Sequence, residues 1–163
     1  MNKMKILVLI ISLTLTSVIG WAQANQFKGY QSAMFEIELP IDMRVSKMYS
    51  DVSTDYCDYN VRTKSGIDIM ELHSLLKSRF TFSTIGEAYR EALSSTNLNI
   101  TYKMQSGDFF VISGYNPNNG NIVYWKRIVG NRFVSDMRIE YSQSRRSLIE
   151  SNIGRIAKSF RSK

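Results

Sequence analysis

The sequence predicts a single α+β domain, a largely antiparallel sheet packed by a middle helix and a C-terminal amphipathic helix. Short stretches of alternating apolar and polar residues, separated by turns containing Gly or Asn, predict about six to seven strands in two hairpin or meander groups. Two longer stretches repeat apolar residues at helical spacing. No low-complexity linker interrupts residues 25–163, so we expect one domain over this range.

The first group of strands is predicted before residue 77. The segment SAMFEIELP alternates apolar and polar side chains and stops at Pro40, which is typical of a strand. A polar stretch follows at residues 42–54. The segment DYCDYNVRTKSGIDIMELHSLL, residues 55–76, predicts a hairpin that turns on Ser65 and Gly66.

A two-residue turn also predicts the register of this hairpin. The expected cross-strand pairs are Lys64–Ile67, Asp58–His73 and Cys57–Ser74. Because successive strand residues point to opposite faces, Cys57 and His73 should point away from each other. The Cys57 face is expected to be core, with Tyr59, Val61, Met70 and Leu72, and the His73 face polar, with Asp58, Asn60, Arg62 and Glu71.

The remainder of the chain predicts a helix, four strands and a second helix. The segment STIGEAYREALSS, residues 83–95, predicts a helix whose N-cap is Ser83 or Thr84, with Glu87 completing a capping box. Strands are predicted near 98–105, 108–114, 121–129 and 132–141. The C-terminal helix, within 144–160, has an apolar face formed by Leu148, Ile149, Ile153, Ile156, Ala157 and Phe160.

Residues 1–24 have the features of a signal peptide. A short basic start, MNKMK, precedes the apolar run ILVLIISLTLTSVIG, and Ala22-Gln23-Ala24 provides a small-x-small cleavage site. The apolar run is about 15 residues long, short of the roughly 20 that a membrane-spanning helix needs. We therefore expect cleavage after Ala24, export to the periplasm or the extracellular space, and no stable transmembrane segment after processing.

The sequence favours a non-enzymatic role, because it lacks the residue sets that common catalytic sites need. Its one His and one Cys are predicted on opposite faces of a hairpin, so they cannot form a nucleophile–base pair. Neither a zinc ligand set nor a Gly-rich phosphate loop is present. We expect no catalytic residue, no metal and no cofactor. The alternative is a secreted hydrolase whose unrecognised site includes His73.

Positive charge is concentrated in the C-terminal part of the chain. The formal net charge is +7, and residues 121–163 contain ten Lys or Arg against three acidic residues. This asymmetry predicts either a protein or anionic envelope partner or a solvated basic face. Arg145 and Arg146 are the candidate basic surface. Nucleic acid is not an expected partner, because the protein is predicted to be exported and contains no nucleic-acid-binding motif.

A candidate ligand-binding face is predicted within residues 121–141. A turn on Gly130-Asn131 gives the expected pairs Val129–Arg132, Trp125–Asp136 and Val123–Arg138. One face is then apolar, and the other has Trp125 among arginines. The candidate ligand-binding residues are Trp125, Arg127, Arg132 and Arg138, since an indole and guanidinium groups can stack on and hydrogen-bond planar or anionic ligands.

An alternative explanation of this face involves no ligand. Asp136 and Glu140 lie on the same predicted face as the arginines, and cross-strand pairs of opposite charge are common in antiparallel sheets. The arginines would then pair with these two carboxylates while a helix covers Trp125.

The pattern from FEIELP through GDFFVISGYN and GNIVYWKRI to a closing helix that ends in IAKSF resembles small exported bacterial domains of the PsbP-like fold. The resemblance covers most of residues 33–160. It implies an antiparallel sheet between helices and a family of non-enzymatic binding or assembly factors. No binding residue of that family is carried over to this sequence.

Overall fold

The computed structural model describes residues 26–51, 56–63 and 68–163, and the side chains within these ranges apart from those of 46–51, 56–58, 63 and 68–69. The strands are β1 (Phe27–Gln31), β2 (Phe35–Pro40), β3 (Met43–Asp51), β4 (Tyr56–Thr63), β5 (Asp68–Leu76), β6 (Asn99–Ser106), β7 (Phe109–Tyr115), β8 (Ile122–Val129), β9 (Phe133–Tyr141) and β10 (Arg161–Ser162). The helices are α1 (Ile85–Ser95) and α2 (Arg146–Ser159), with 3-10 turns at Lys77–Arg79 and Gln143–Arg145.

The strands form two antiparallel sheets. The larger has seven strands in the order β3-β4-β5-β9-β8-β7-β6, and the smaller has three in the order β1-β2-β10. Helix α2 and the small sheet pack on one face of the large sheet, and α1 packs on the other face over β6, β7 and β8. The predicted α+β class, with its middle and C-terminal helices, is confirmed. Among the described residues, no helix is long and apolar enough to cross a membrane.

The larger core lies between the large sheet and the layer formed by α2 and β2. Its side chains come from elements far apart in sequence, and their burial is the main stabilising term for this layer. Fully or almost fully buried members include Leu39, Val61, Leu72, Met137, Ile139, Ile149, Ile156 and Phe160. The packing of β2, which precedes the large sheet in sequence, therefore depends on α2, which follows it.

The smaller core lies beneath α1. Ala88 and Ala92 face the sheet, and their small side chains let the helix approach Phe110, Ile112 and Val123 closely.

The start of α1 is the capping box that the sequence predicts. Thr84 accepts a hydrogen bond from the backbone N–H of Glu87, and the Glu87 carboxylate accepts one from the backbone of Thr84. The Glu87 carboxylate also accepts hydrogen bonds from the N–H and the hydroxyl of Ser83. These hydrogen bonds lower the pKa of Glu87 to about 2, and the largest contribution comes from the backbone N–H of Ser83.

Three strands were not expected from the sequence. No strand was predicted in the polar stretch 42–54, but Met43–Asp51 form β3 at the edge of the large sheet. Met43 is buried, whereas Arg44 is exposed, and polar residues are common on edge strands because only one side is paired. The other two are β1 and β10, which are short and pair only with β2.

The β4–β5 hairpin has the predicted pairing of Cys57 with Ser74 and of Asp58 with His73. The register shifts by one residue after Val61. The predicted Lys64–Ile67 turn lies outside the described residues, as does the side chain of Cys57. Other members of its face are buried as expected: Val61, Met70 and Leu72.

The predicted register of the β8–β9 hairpin was wrong by two residues. Val129 pairs with Val134 in place of Arg132, and Trp125 pairs with Arg138 in place of Asp136. The backbone N–H of Gly130 donates to Phe133 O at 2.9 Å, so the tight turn is formed by the two residues between them. A shift of two keeps every side chain of β8 and β9 on its predicted face, whereas Arg132 lies in the turn.

Gly130 is required for a different reason than the one predicted. A Cβ atom at this position would lie 3.0 Å from the Ser162 hydroxyl oxygen and 3.0 Å from Phe133 O. The glycine therefore allows β10 to approach the end of β8, and the turn itself follows one residue later.

One residue of the C-terminal helix was placed wrongly. Leu148 was predicted on the packed face but is 51% exposed, whereas Ile149 is 1% exposed. Neighbouring helical residues point about 100° apart. The buried stripe runs through Ile149, Ile153 and Ile156, and Leu148 lies beside it.

Candidate functional site

A polar groove lies on the half of the large sheet that α1 leaves uncovered. It has a volume of about 380 Å³ and spans strands β4, β5, β9 and β8. The described residues that line it are Asn60, Glu71, His73, Trp125, Arg127, Asp136 and Arg138. The groove combines residues from the two predicted groups of strands, with β4 and β5 from the first group and β8 and β9 from the second.

Strand pairing brings these side chains together. In the β5–β9 register, Glu71 lies opposite Arg138 and His73 lies opposite Asp136. In the β8–β9 register, Trp125 lies opposite Arg138. Side chains directly opposite each other on one face of an antiparallel pair are in contact range. The groove is therefore a two-dimensional array of polar side chains on a rigid sheet.

The Asp136 carboxylate organises one side of the groove. It accepts hydrogen bonds at Oδ1 from Trp125 Nε1 (2.6 Å) and Arg127 Nε (2.8 Å), and at Oδ2 from an Arg127 terminal nitrogen (2.9 Å). A bidentate guanidinium–carboxylate pair holds both partners in one geometry. These three side chains form the fixed wall of the groove.

Arg127 is also surrounded by aromatic rings. Its guanidinium carbon lies 5.1 Å from the Trp125 ring centroid and 5.6 to 5.9 Å from the centroids of Phe80, Phe82 and Phe110. Its side chain is 14% exposed. Arg127 and Trp125 therefore make these contacts within the protein, as the alternative explanation without a ligand predicts. Trp125 also packs edge-on against Phe110.

Arg138 is the more open cation of the groove. Its side chain is 41% exposed and donates to Glu140 Oε2 at 3.3 Å, a longer contact than those of Arg127. An exposed ion pair of this kind contributes little stability and is easily rearranged. Arg138 can therefore turn toward a ligand without unfolding its surroundings.

The predicted ligand-binding residues do not all meet. Trp125, Arg127 and Arg138 line the groove, but Arg132 lines a separate cleft at the end of the sheet. The side chain of Arg132 lies over the Phe133 ring, 5.0 Å from its centroid. The sequence predicts these arginines on one face, but Arg132 lies in the turn that precedes β9, beyond the groove.

The candidate basic surface lies at the start of α2. Arg146 is exposed and forms an i,i+4 ion pair with Glu150 at 3.0 Å. Hydrogen bonding and the charge of Glu150 raise the pKa of Arg146. Arg145 is half-buried, and one of its terminal nitrogens has no hydrogen-bond partner among the described residues. These two arginines therefore differ in environment.

The Asn-rich loop between β7 and β8 is held in place by Glu140. Its Oε1 accepts hydrogen bonds from the side-chain amides of Asn119 (2.9 Å), Asn116 (3.1 Å) and Asn121 (3.3 Å). The side-chain oxygens of Asn116 and Asn119 accept backbone N–H groups within the loop. The amide oxygens are thus used internally, and the loop serves as structure.

These contacts determine the acidity of Glu140. Its burial raises the pKa of the carboxyl, but the three asparagine hydrogen bonds and the Arg138 charge together outweigh burial, and the pKa lies below its ordinary value. Glu140 is therefore ionised over the physiological range. Neither this loop nor its anchor was recognised in the sequence, where NPNNG predicts only a turn.

The described lining of the groove contains no nucleophile of the kind a hydrolase uses. None of the described residues that line it is Ser, Thr or Cys. The buried hydroxyls of Ser74 and Ser135 hydrogen-bond each other at 2.7 Å and lie on the opposite face of the sheet from His73. Within residues 26–51, 56–63 and 68–163, no group of three or more His, Cys, Asp or Glu is arranged to hold a metal ion.

The fold is similar to that of a solved protein. The solution structure of cyanobacterial PsbP (CyanoP) from Synechocystis sp. PCC 6803 matches with a TM-score of 0.51 and 11% sequence identity, over 84% of this chain and 92% of that chain. This likeness confirms the PsbP-like fold and concerns the fold alone. No protein-family model matches the chain, and no curated protein matches it.

Proposed function

We propose that the protein is an exported, non-enzymatic binding module of the cell envelope or extracellular space, and that the polar groove on its sheet binds a small ligand or peptide end that carries a carboxylate. The observation that carries the proposal is the contrast within the groove. Trp125, Arg127 and Asp136 are locked together, whereas Arg138 is open and lies beside His73 and Glu71.

This contrast suits binding because a fixed wall orients a ligand and an open cation attracts it. The groove volume, about 380 Å³, is within the range of about 300–1,000 Å³ that small-molecule sites occupy. A ligand carboxylate would receive hydrogen bonds from Arg138, whose planar guanidinium suits two-oxygen groups. Glu71 would accept hydrogen bonds from donor groups elsewhere on the ligand.

The secreted hydrolase is the weaker of the two functions. His73 lies in the groove beside carboxylates, as an acid–base catalyst would, but the described lining supplies no nucleophile. A hydrolase would have to activate water directly. A binding role needs none of this and uses Arg138, the more open cation of the groove.

Export rests on residues 1–24, and processing tests it. The small-x-small site follows an apolar segment too short to span a membrane, so we expect the signal peptidase to cleave after Ala24. N-terminal sequencing of protein recovered outside the cytoplasm should begin with NQFKGY. Recovery of a full-length product held in the membrane would contradict the export half of the proposal.

Trp125 provides a direct measurement of binding. Trp21 lies in the predicted signal peptide, so Trp125 is the only tryptophan of the processed chain and it lines the groove. We expect titration with a panel of amino acids, dipeptides and dicarboxylates to change its fluorescence saturably for at least one of them.

The variant R138Q should weaken that binding by about tenfold or more, since a charge-assisted hydrogen bond is lost. The exposed Arg90 on α1 is the matched control, because R90Q removes the same charge outside the groove. Equal affinities of R138Q and the parent would refute the groove as the site. Turnover of an ester or peptide that H73N abolishes would favour the hydrolase.

The basic C-terminal surface is the second part of the proposal. Replacing Arg145 and Arg146 by Gln should weaken salt-sensitive binding to an anionic envelope partner, because salt screens exposed charges. Pull-down from envelope extract at two salt concentrations measures this. Unchanged capture by the double variant would show that the two arginines do not contribute to binding of the partner.

A further inference from the structure

A wide cleft lies on the outer face of the three-stranded sheet, beside the last turns of α2. It has a volume of about 590 Å³, and its lining comes from β1, β2, α2 and β10. Ile37 is 2% exposed and points into the core, so Glu36 and Glu38 on either side of it point outward into the cleft. The cleft is therefore separate from the polar groove, which lies on the large sheet.

Strand pairing places a row of polar side chains along the floor of this cleft. Glu36 lies between Gln31 of β1 and Arg161 of β10, its partners in the two registers. Residues directly opposite each other share one face of the sheet. In the next row Gly29 pairs with Glu38, and a Cβ at Gly29 would meet no atom within 4 Å beyond its chain neighbours. The floor is thus polar and open.

One wall of the cleft is fixed by contacts within the protein. Arg155 donates from Nε and from a terminal nitrogen to Glu38 Oε2, at 3.1 and 3.0 Å, and its guanidinium carbon lies 3.9 Å from the Phe27 ring centroid. The backbone N–H of Glu38 donates to Ser159 Oγ at 2.9 Å. The charge of Glu38 is therefore balanced by Arg155, and α2 is tied to β2.

Lys158 and Arg161 are the open cations of the cleft. Both are exposed, and neither forms an ion pair with another residue in the part of the chain that the structure describes. Burial lowers the pKa of Lys126, Asp108 acts in the opposite direction, and the charge of Arg161 lowers this pKa further. An anion bound at Arg161 would reduce the repulsion between these two cations.

A second cleft meets the first at the same two cations. Lys158 and Arg161 also line a space of about 330 Å³ that reaches Asp108 and Phe109 at the start of β7. A ligand can thus approach the two cations from both sides. An extended chain that passes over them would occupy both clefts, which a single small anion would not.

The chemistry of the wide cleft suits a chain rich in hydroxyl groups. Its described apolar lining residues, Tyr30 and Ile37, pair with each other across β1 and β2 and pack against the core. An extended peptide uses pockets for alternate side chains, and this floor presents polar groups at those positions. Glu36 and Gln31 can accept hydrogen bonds from hydroxyls, while the Glu36 charge disfavours a second anion next to the first.

We propose that the two clefts bind a segment of an acidic polysaccharide, with the carboxylate of one sugar unit on Lys158 and Arg161 and the hydroxyls of neighbouring units on Glu36 and Gln31. Sugar rings separate the charges of such a polymer, as the arrangement of one cation pair beside Glu36 requires. This site is independent of the polar groove and of the Arg145 and Arg146 surface.

Binding is tested with oligosaccharides of hyaluronan, in which glucuronate alternates with N-acetylglucosamine. They are titrated at increasing length into the processed protein and followed by the backbone amide NMR signals of residues 29–31, 36–38 and 158–161. We expect saturable shifts at these residues, tighter binding by longer oligosaccharides, and weaker binding at high salt. Shifts confined to other parts of the chain, or no binding at any length, would overturn the proposal.

Three further probes separate the polysaccharide from its components. Chitin oligosaccharides contain the same N-acetylglucosamine without a carboxylate, glucuronic acid is the free sugar acid, and poly-L-glutamate is a polyanion without sugar rings. Each should bind at least about tenfold more weakly than the long hyaluronan oligosaccharides. Equal affinity for glucuronic acid would exclude an extended ligand, and equal affinity for poly-L-glutamate would show that charge alone is recognised.

The variant K158Q/R161Q should weaken hyaluronan binding about tenfold or more, because two charge-assisted contacts are lost. The matched control is R90Q/K103Q, which removes two exposed charges on α1 and β6 and should bind as the parent does. Parent-like affinity of K158Q/R161Q, or an equal loss in R90Q/K103Q, would refute the role of this cation pair.

The variant G29F tests the open floor without changing any charge. A phenyl ring at this position should fill the cleft and weaken binding about tenfold or more, and a larger residue than glycine is tolerated in a strand. An unchanged melting temperature checks that the variant folds. R138Q alters only the polar groove and should bind hyaluronan as the parent does, so the two sites are tested separately. A folded G29F with parent-like affinity would overturn the placement of the chain on this floor.

Discussion

The ammonium of Lys126 in β8 caps the C-terminal end of α2. Its Nζ donates to Ala157 O at 2.6 Å and to Phe160 O at 3.2 Å, and it lies 4.8 Å from the Phe109 ring centroid. The last carbonyls of a helix lack partners within the helix and carry partial negative charge. A buried lysine on the core face of the sheet therefore locks the final helix to the large sheet.

Removal of this cap should destabilise the fold. In K126M an unbranched side chain one atom shorter remains, but the two carbonyls lose their donor, which costs about 1–3 kcal/mol of the free energy of unfolding. Urea unfolding followed by circular dichroism measures the change. Lys103 on β6 is exposed, so K103M is the control and should change stability little. Equal midpoints of K126M and the parent would contradict the capping role.

Burial of Lys126 should also make the free energy of unfolding depend on pH in the alkaline range. Burial lowers the pKa of Lys126, so the unfolded chain holds this proton more tightly than the folded one. Its contribution to stability should therefore rise as the pH increases through the lowered pKa toward the ordinary value. Burial raises the pKa of Tyr124 and Tyr141 to about 12, which acts in the opposite direction. The difference between the parent and K126M isolates the lysine.

Glu140 should stabilise the Asn-rich loop in a pH-dependent way. Its pKa is lowered in the folded state, so its contribution is present above the pKa of the unfolded chain and is lost as the pH falls through the folded pKa. E140Q should be less stable near neutral pH and should lose less stability on acidification. The backbone N–H of Gly120 donates to Asn116 O at 2.8 Å. In E140Q this amide hydrogen should exchange with solvent faster than in the parent.

The control for Glu140 is Glu91, an exposed residue of α1. E91Q removes the same charge without releasing the loop, so it should leave Gly120 exchange unchanged. An E140Q protein with the exchange rate and acid profile of the parent would show that the three asparagines do not depend on this carboxylate.

Local elements of this fold could be predicted because their signals are short-range. The capping box at Thr84 and Glu87 and the Asp58–His73 pairing each depend on residues close in sequence, and both are confirmed. Helix and strand periodicity likewise placed the two helices and the four strands that follow α1. The edge strand β3 was missed because the alternation of Met43, Arg44, Val45 and Ser46 is short and is interrupted by the register shift between Lys47 and Tyr49.

The candidate site could be predicted only in parts. The polar faces of β5 and β9 were each recognised, but their pairing, which sets Glu71 opposite Arg138, joins segments separated by α1 and three strands. No local pattern specifies such a contact, since its register is decided by the shared core. Lys126 was missed for a related reason, because its partners belong to a helix end that only tertiary packing brings near.

Cys57 should react slowly with thiol reagents. Its cross-strand partner Ser74 is buried, and so are Val61 and Leu72 on the same face of the hairpin. A thiol in apolar surroundings has a small thiolate fraction, and the thiolate is the reactive species. Labelling of the native protein should be much slower than labelling in denaturant. Fast native labelling, or a C57S variant that folds but loses ligand binding, would contradict a structural role.

The packing of α2 is tested by Phe160 and Leu148 together. Phe160 is 1% exposed and contacts Phe35, with ring centroids 5.8 Å apart, so F160A should lower the free energy of unfolding by about 3 kcal/mol. That loss is a large part of the stability of a small domain. L148A should change it by less than about 0.5 kcal/mol, because Leu148 is half-exposed. Thermal and urea unfolding of both variants measure the difference. If F160A unfolds as the parent does, α2 is not docked on the sheet; if L148A costs as much as F160A, the helix is rotated from the position described.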